Sequence, residues 1–122
     1  MYPTCCGRFI VGGEAPATAA ELMRSRFTAY GEAAVDYLVR TTAEPARAAL
    51  DPAVIAEHCR QTRLVKLEIL RTEAGGAADE TGVVEFRATL RHGGQKYEQH
   101  ERSRFARDPV DGRWVYVDGE ID

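Results

Sequence analysis

Nothing in this 122-residue sequence approaches the roughly 18 consecutive apolar residues that a membrane-spanning helix needs. The start of the chain also lacks the apolar stretch of a secretory signal, so the expectation is a cytoplasmic protein with no membrane partner. Lysine is almost missing: Lys66 and Lys96 are the only two, and arginine supplies the remaining positive charge. With abundant alanine, this reads as the coding bias of a GC-rich bacterial genome rather than as a site. The formal net charge of −3 provides no cationic field of the kind that drives nonspecific nucleic-acid binding, and no nucleic-acid partner is expected. Cysteine is scarce and odd in number, three residues with two of them adjacent, which excludes a disulfide framework and agrees with a reducing compartment. Cys59 reads as a buried, inert thiol. Cys5 and Cys6 look like half of a metal site, since a structural zinc takes four ligands and this segment offers two. Gly12-Gly13 and Gly75-Gly76 are not phosphate loops, because no Lys-Ser/Thr follows at the required spacing, and no serine elbow or zinc-protease motif is present.

What is there fits one globular domain, 44% hydrophobic and 29% charged. Residues 1–13 have no periodicity, and organisation begins after Pro16. Thr18-Ala19-Ala20-Glu21 has the spacing of a capping box, which predicts a helix over 18–30 with Leu22, Met23, Phe27 and Tyr30 around an apolar face, Arg24 and Ser25 away from its centre, and Gly31 as its end. A second helix is predicted over 32–41, and a third over 51–61, where Asp51-Pro52 reads as a cap followed by proline at the first helical position.

The period then changes from helical to alternating. Strands are predicted over 64–72, around 84–90, over 96–107 and over 114–117, joined by an acidic Gly-rich loop, a Gly93-Gly94 turn and Asp108-Pro109-Val110-Asp111-Gly112, giving an antiparallel meander. With Gly93 and Gly94 as central turn residues, Glu85 opposes Arg102, Phe86 opposes Glu101 and Arg87 opposes His100. With Arg107 opposite Arg113, Phe105 opposes Val115 and Arg104 opposes Tyr116, so Val115 and Val117 face inward and Trp114 and Tyr116 outward. The inner face carries Val84, Phe86, Ala88, Leu90, Tyr97 and Phe105, interrupted by Gln99, Glu101 and Ser103. Polar groups that face a core must be hydrogen-bonded or wet. Tyr97, Gln99, Glu101 and Ser103 are therefore the candidate ligand-binding residues of a cavity with an apolar rim and a polar floor. A β-bulge would invert the assignment of faces.

Cys5-Cys6-Gly7-Arg8-Phe9, Leu22-Met23-Arg24-Ser25-Arg26-Phe27-Thr28-Ala29-Tyr30, Gly82-Val83-Val84-Glu85-Phe86-Arg87-Ala88, His100-Glu101-Arg102-Ser103-Arg104-Phe105 and Gly112-Arg113-Trp114-Val115-Tyr116-Val117-Asp118-Gly119 together resemble the bacterial YchJ-like family, over essentially the whole chain. The resemblance implies an α+β NTF2-like cone at 14–122, with three helices packed on a curved antiparallel sheet of about four strands around a conical cavity. It also implies that residues 1–13 are the second half of a SEC-C zinc motif, whose Cys-x-Cys half would lie upstream of Met1. Zinc belongs to the complete motif. Here Cys5 and Cys6 would have to pair across a dimer or recruit His58 and Cys59 to reach four ligands.

The function implied is that of an accessory domain, binding a small molecule in the cone or a protein partner through the SEC-C segment. An isomerase- or dehydratase-like enzyme using Glu101 as a general base is the alternative. Against catalysis stands an outer-face ladder pairing Glu85 with Arg102 and Glu98 with Arg91, with Arg104 stacked on Trp114 or Tyr116. Outward Trp114 and Tyr116 would be large for exposed positions, which leads to the expectation of a homodimer through the sheet.

Overall fold

The computed structural model describes residues 7–10 and 13–121. Cys5 and Cys6 lie outside the described residues. Helix α1 spans Gly7–Ile10, α2 Ala19–Glu32, α3 Val35–Arg40 and α4 Pro52–Gln61, with a 3-10 turn at Ala46–Ala49. Strands β1 (Thr62–Ala74), β2 (Thr81–His92), β3 (Gln95–Arg107) and β4 (Trp114–Ile121) follow in one sheet of order β1-β2-β3-β4, the expected antiparallel meander. The helices pack against this four-stranded sheet as an α+β fold.

Local chemistry sets the helix starts. Thr18 Oγ1 accepts a hydrogen bond from the Glu21 N–H at 3.2 Å, and Glu21 Oε1 accepts from the Ala17 N–H at 2.9 Å, so the predicted capping box forms. Asp51 caps α4 by accepting from the Ala53 N–H at 2.9 Å, with Pro52 in the first turn, where its missing donor does no harm. Gly31 does not end α2. The helix runs on to Glu32 and closes at Ala33, whose φ of 54° is left-handed. Ser25, expected away from the centre of the apolar face, is fully buried, its hydroxyl bonded to the Leu22 carbonyl and, at 2.6 Å, to the Tyr37 hydroxyl. Phe9 of α1 joins the core, and the Arg40 guanidinium donates to its carbonyl at 3.3 Å.

The β2–β3 register is the predicted one: Glu85 opposes Arg102, Phe86 opposes Glu101 and Arg87 opposes His100, around Gly93 and Gly94 at φ 60° and 82°. The β3–β4 register is not. Arg107 opposes Trp114 and Phe105 opposes Tyr116, and a bulge then makes Val117 the extra residue, so that Arg104 opposes Asp118. The one-residue shift reverses both faces of β4. Trp114 is buried in the core, where its indole N–H donates to the Ala17 carbonyl at 3.1 Å, while Val117 is 37% exposed. Val115 is buried but outside the main cluster. Two further bulges in β1 turn Val65 and Leu70 to solvent and keep Leu67 and Ile69 opposite Ala88 and Phe86.

Two contacts fix the sheet to α2 and to the segment after α3. The Ala19 N–H donates to the Gly75 carbonyl at 2.9 Å, and a side chain at Gly75 would meet Ala19 Cβ at 2.9 Å, so this close approach requires glycine. On the open edge of β4, the Tyr116 N–H donates to the Thr41 carbonyl at 2.7 Å and the Tyr116 carbonyl accepts from Ala43 at 2.8 Å, a short parallel bridge that holds Tyr116 in place.

Candidate functional site: a cavity with a polar floor

Between α2, α4 and the inner face of the sheet lies an open cavity of about 590 Å³. Its walls are apolar, with Met23, Phe27, Leu64, Phe86 and Leu90 among them. Buried residues cluster at one end, and half-buried or exposed ones, including Thr62, His92 and Tyr97, surround the other. The space therefore has a floor and a mouth.

Glu101 forms the floor. Only 9% of it is exposed, and its carboxylate accepts from three neutral donors: Gln99 Nε2 at 2.9 Å, Ser103 Oγ at 2.5 Å and the Tyr116 hydroxyl at 3.3 Å. The strand alternation places Gln99, Glu101 and Ser103 in a row, and Tyr116 reaches them because the β4 register turns it inward. Gly119 completes the arrangement: a Cβ there would collide with Glu101 Oε2. Among the described residues no cation lies within ion-pair distance of Glu101. A carboxylate offers about four acceptor positions, so one stays available to a ligand.

Arg26 stands beside this floor. It comes from α2, is 7% exposed, and stacks its guanidinium 4.8 Å from the centre of the Tyr116 ring. Nη1 donates to the Leu38 carbonyl at 3.0 Å, to Thr41 Oγ1 at 2.6 Å and to Thr42 Oγ1 at 3.4 Å. Burial pulls the Arg26 pKa down from its ordinary value, partly opposed by Tyr30, Tyr116 and Tyr37 and, after them, the Glu101 charge. Tyr116 is pushed up to about 12, first by burial and then by the neighbouring Glu101 carboxylate. The α3 end and the segment after it thus hold both members of the stack: Thr41 and Thr42 bind Arg26, and the same stretch bridges to Tyr116.

Comparison with known proteins decides the family. A family description, the YchJ middle NTF2-like domain, matches residues 18–119. The chain belongs to this YchJ-like family. A UPF0225 protein of Streptomyces coelicolor is 48% identical over 98% of this chain and 88% of its own length, and one of Chromobacterium violaceum is 43% identical over 96% and 84%. Among solved structures, a SEC-C motif containing protein from Rhodopseudomonas palustris aligns with a TM-score of 0.86 at 34% identity, covering 98% of this chain and 91% of that one. Another from Psychrobacter arcticus aligns with a TM-score of 0.84 at 25% identity, covering 100% and 73%. The NTF2-like cone expected from the sequence is therefore the fold.

Within this YchJ-like domain, Gln99, Glu101 and Ser103 are brought together as the sequence pattern indicates. Tyr97 lines the cavity at its rim, 47% exposed, with its hydroxyl donating to Gln95 Oε1 at 3.1 Å. Tyr116 and Arg26 were missed. The signal for Tyr116 was the spacing of Trp114 and Tyr116, two large aromatics on one strand face, which more often point inward than out. Nothing marked Arg26 from its charged neighbours.

The outer-face ladder exists with different partners: Glu85 pairs with His100 at 2.6 Å, Arg102 with Glu73 at 3.4 Å, and Arg104 with Asp118 at 2.6 Å. Arg107, not Arg104, stacks on Trp114, at 4.2 Å. Cys59 and His58 also line the cavity, and burial raises the Cys59 thiol pKa. Among the described residues no cluster of three or more His, Cys, Asp or Glu could hold a metal.

Proposed function

We propose that the cone of this YchJ-like domain binds a small molecule end-on, its apolar body against Phe27, Phe86 and Leu90 and a hydrogen-bond-donating end on Glu101. One observation carries the reading: a buried carboxylate, held by neutral donors alone, at the floor of a 590 Å³ open cavity. Burying a charge is costly unless it is paired, so a side chain serving stability alone would be expected to meet a cation there. The volume falls within the roughly 300–1,000 Å³ common for ligand sites.

Screening an amphipathic fragment library by thermal shift tests the reading. Fragments ending in a hydroxyl or amine are expected to raise the Tm, and Glu101→Gln, which replaces an acceptor with a mixed amide, should weaken those hits by roughly ten- to a hundredfold, the worth of a hydrogen bond to a charged group. Hits whose affinity Glu101→Gln leaves unchanged would show that the floor is not the site. The same unpaired carboxylate supports, as a second reading, proton abstraction from a bound small molecule. Turnover of a hit that disappears in Glu101→Gln while binding survives would establish it.

The zinc element is a separate matter. Cys5 and Cys6 lie outside the described residues and offer two of the four ligands a structural zinc takes, so a zinc site in this chain would need two more, from His58 and Cys59 or from a second copy. Two structural neighbours are SEC-C motif containing proteins, and we propose that this segment binds a protein partner where the motif is complete.

A further inference from the structure

Arg26 and Glu101 both line the cavity, are both more than nine-tenths buried, and do not pair with each other. Tyr116 stands between them, its ring under the guanidinium and its hydroxyl on the carboxylate. Every hydrogen bond of Arg26 leaves from Nη1, toward Leu38, Thr41 and Thr42. Nε and Nη2 have no partner among the described residues, and no sealed side-chain nitrogen or oxygen lacks one. Those donors therefore keep solvent contact, and the cavity that Arg26 lines is where they meet it. One buried cation with open donors and one buried anion with an open acceptor face the same space without neutralising each other.

We propose that the cavity selects an apolar molecule whose polar end carries a carboxylate next to a hydroxyl or ammonium group, that is, a hydroxy or amino acid with an apolar side chain. This rests on the reading of the cone as a ligand cavity. The ligand carboxylate takes the free edge of Arg26, whose planar fork suits two parallel hydrogen bonds. The adjacent donor takes the remaining acceptor position of Glu101. A simple carboxylic acid would satisfy Arg26 but bring a second negative charge near Glu101 with no donor between them, and a simple alcohol or amine would leave Arg26 unpaired.

Four probes that share a phenyl body separate these cases on the full chain, by isothermal titration with amide NMR at neutral pH: 3-phenyllactate, phenylalanine, 3-phenylpropanoate and 2-phenylethanol. The two bifunctional probes are expected to bind at least about tenfold more tightly than either monofunctional one, since each added hydrogen bond to a charged group contributes at least that factor. The tighter of phenyllactate and phenylalanine tells whether the donor is hydroxyl or ammonium. Arg26→Gln should reduce phenyllactate binding to the level of 2-phenylethanol and leave 2-phenylethanol itself unchanged. Glu101→Gln should reduce it to the level of 3-phenylpropanoate. Amide dispersion checks that each variant folds, and if Arg26→Gln does not, the ranking on the wild-type chain still decides. Equal affinity for all four probes overturns the inference and leaves the cavity reading standing. No binding of any probe, alongside Glu101-dependent library hits, overturns the inference alone; no binding alongside an empty library screen overturns both.

Discussion

A carboxylate placed at the bottom of an apolar cone can stay there only if its surroundings hold it, and at Glu101 they do so atom by atom. Gly119 supplies the room: a side chain at that position would overlap Glu101 Oε2. Gly119→Ala is expected to displace the carboxylate, cost roughly 1–3 kcal/mol by overpacking, and weaken cavity ligands together with stability. Denaturant unfolding and the fragment screen, run on the same variant, check both. Tyr116 makes a separate prediction. Its pKa is raised from 10.0 to about 12 in the folded protein, so folding favours the neutral phenol. The corresponding stability is fully present below about pH 10 and is lost as pH climbs toward 12, because the unfolded chain releases that proton first. Titration by absorbance at 295 nm should show Tyr116 ionising late, and Tyr116→Phe should remove its contribution near pH 12. At this scale the sequence was informative about Gln99, Glu101 and Ser103, because alternation along one strand is a local property. It was silent about Arg26, because a charged residue in an amphipathic helix reads as solvent-facing until the aromatic ring that receives it is placed.

Elements differ in how firmly their sequence sets their register. A two-residue Gly-Gly turn leaves β2 and β3 one way to pair, and the expected partners are the observed ones. The loop between β3 and β4 is longer. Asp108 closes it, with its N–H on the Arg113 carbonyl at 2.7 Å, its carboxylate on the Val110 N–H and its ion pair with Arg47 at 2.9 Å, and none of these could be read from spacing. One residue of slip, followed by a bulge at Val117, moved Trp114 and Tyr116 from the expected outer face to the inner one. The homodimer expectation rested on those two aromatics being exposed, and that ground is gone. Trp114→Ala should be among the most damaging substitutions in the chain, about 3–5 kcal/mol, because it empties a fully buried site and leaves the Ala17 carbonyl without its donor. Guanidinium unfolding midpoints measure this; Val117→Ala, on the exposed bulge, serves as the control and should change little.

The molecule as a whole is a cone whose wide end opens to solvent and whose narrow end holds charge. Helices before strands, the change of period after α4 and the capping residues were enough to give the α+β architecture, since those signals are local and consistent with one another. The cavity was legible only as a polar interruption of an apolar face, because its depth and its second charge depend on how α2 and the segment after α3 meet β4. No helix among the described residues is long and apolar enough to cross a membrane. The central claim is that this polar floor receives ligands. An amide-resolved NMR titration with the strongest fragment hits tests it most directly. Saturable shifts concentrated on Phe86, Ala88, Glu101, Ser103 and Tyr116, and lost in Glu101→Gln, are the predicted result. Shifts confined to the outer face of the sheet around Glu85, His100 and Arg102, or unchanged by Glu101→Gln, would contradict it.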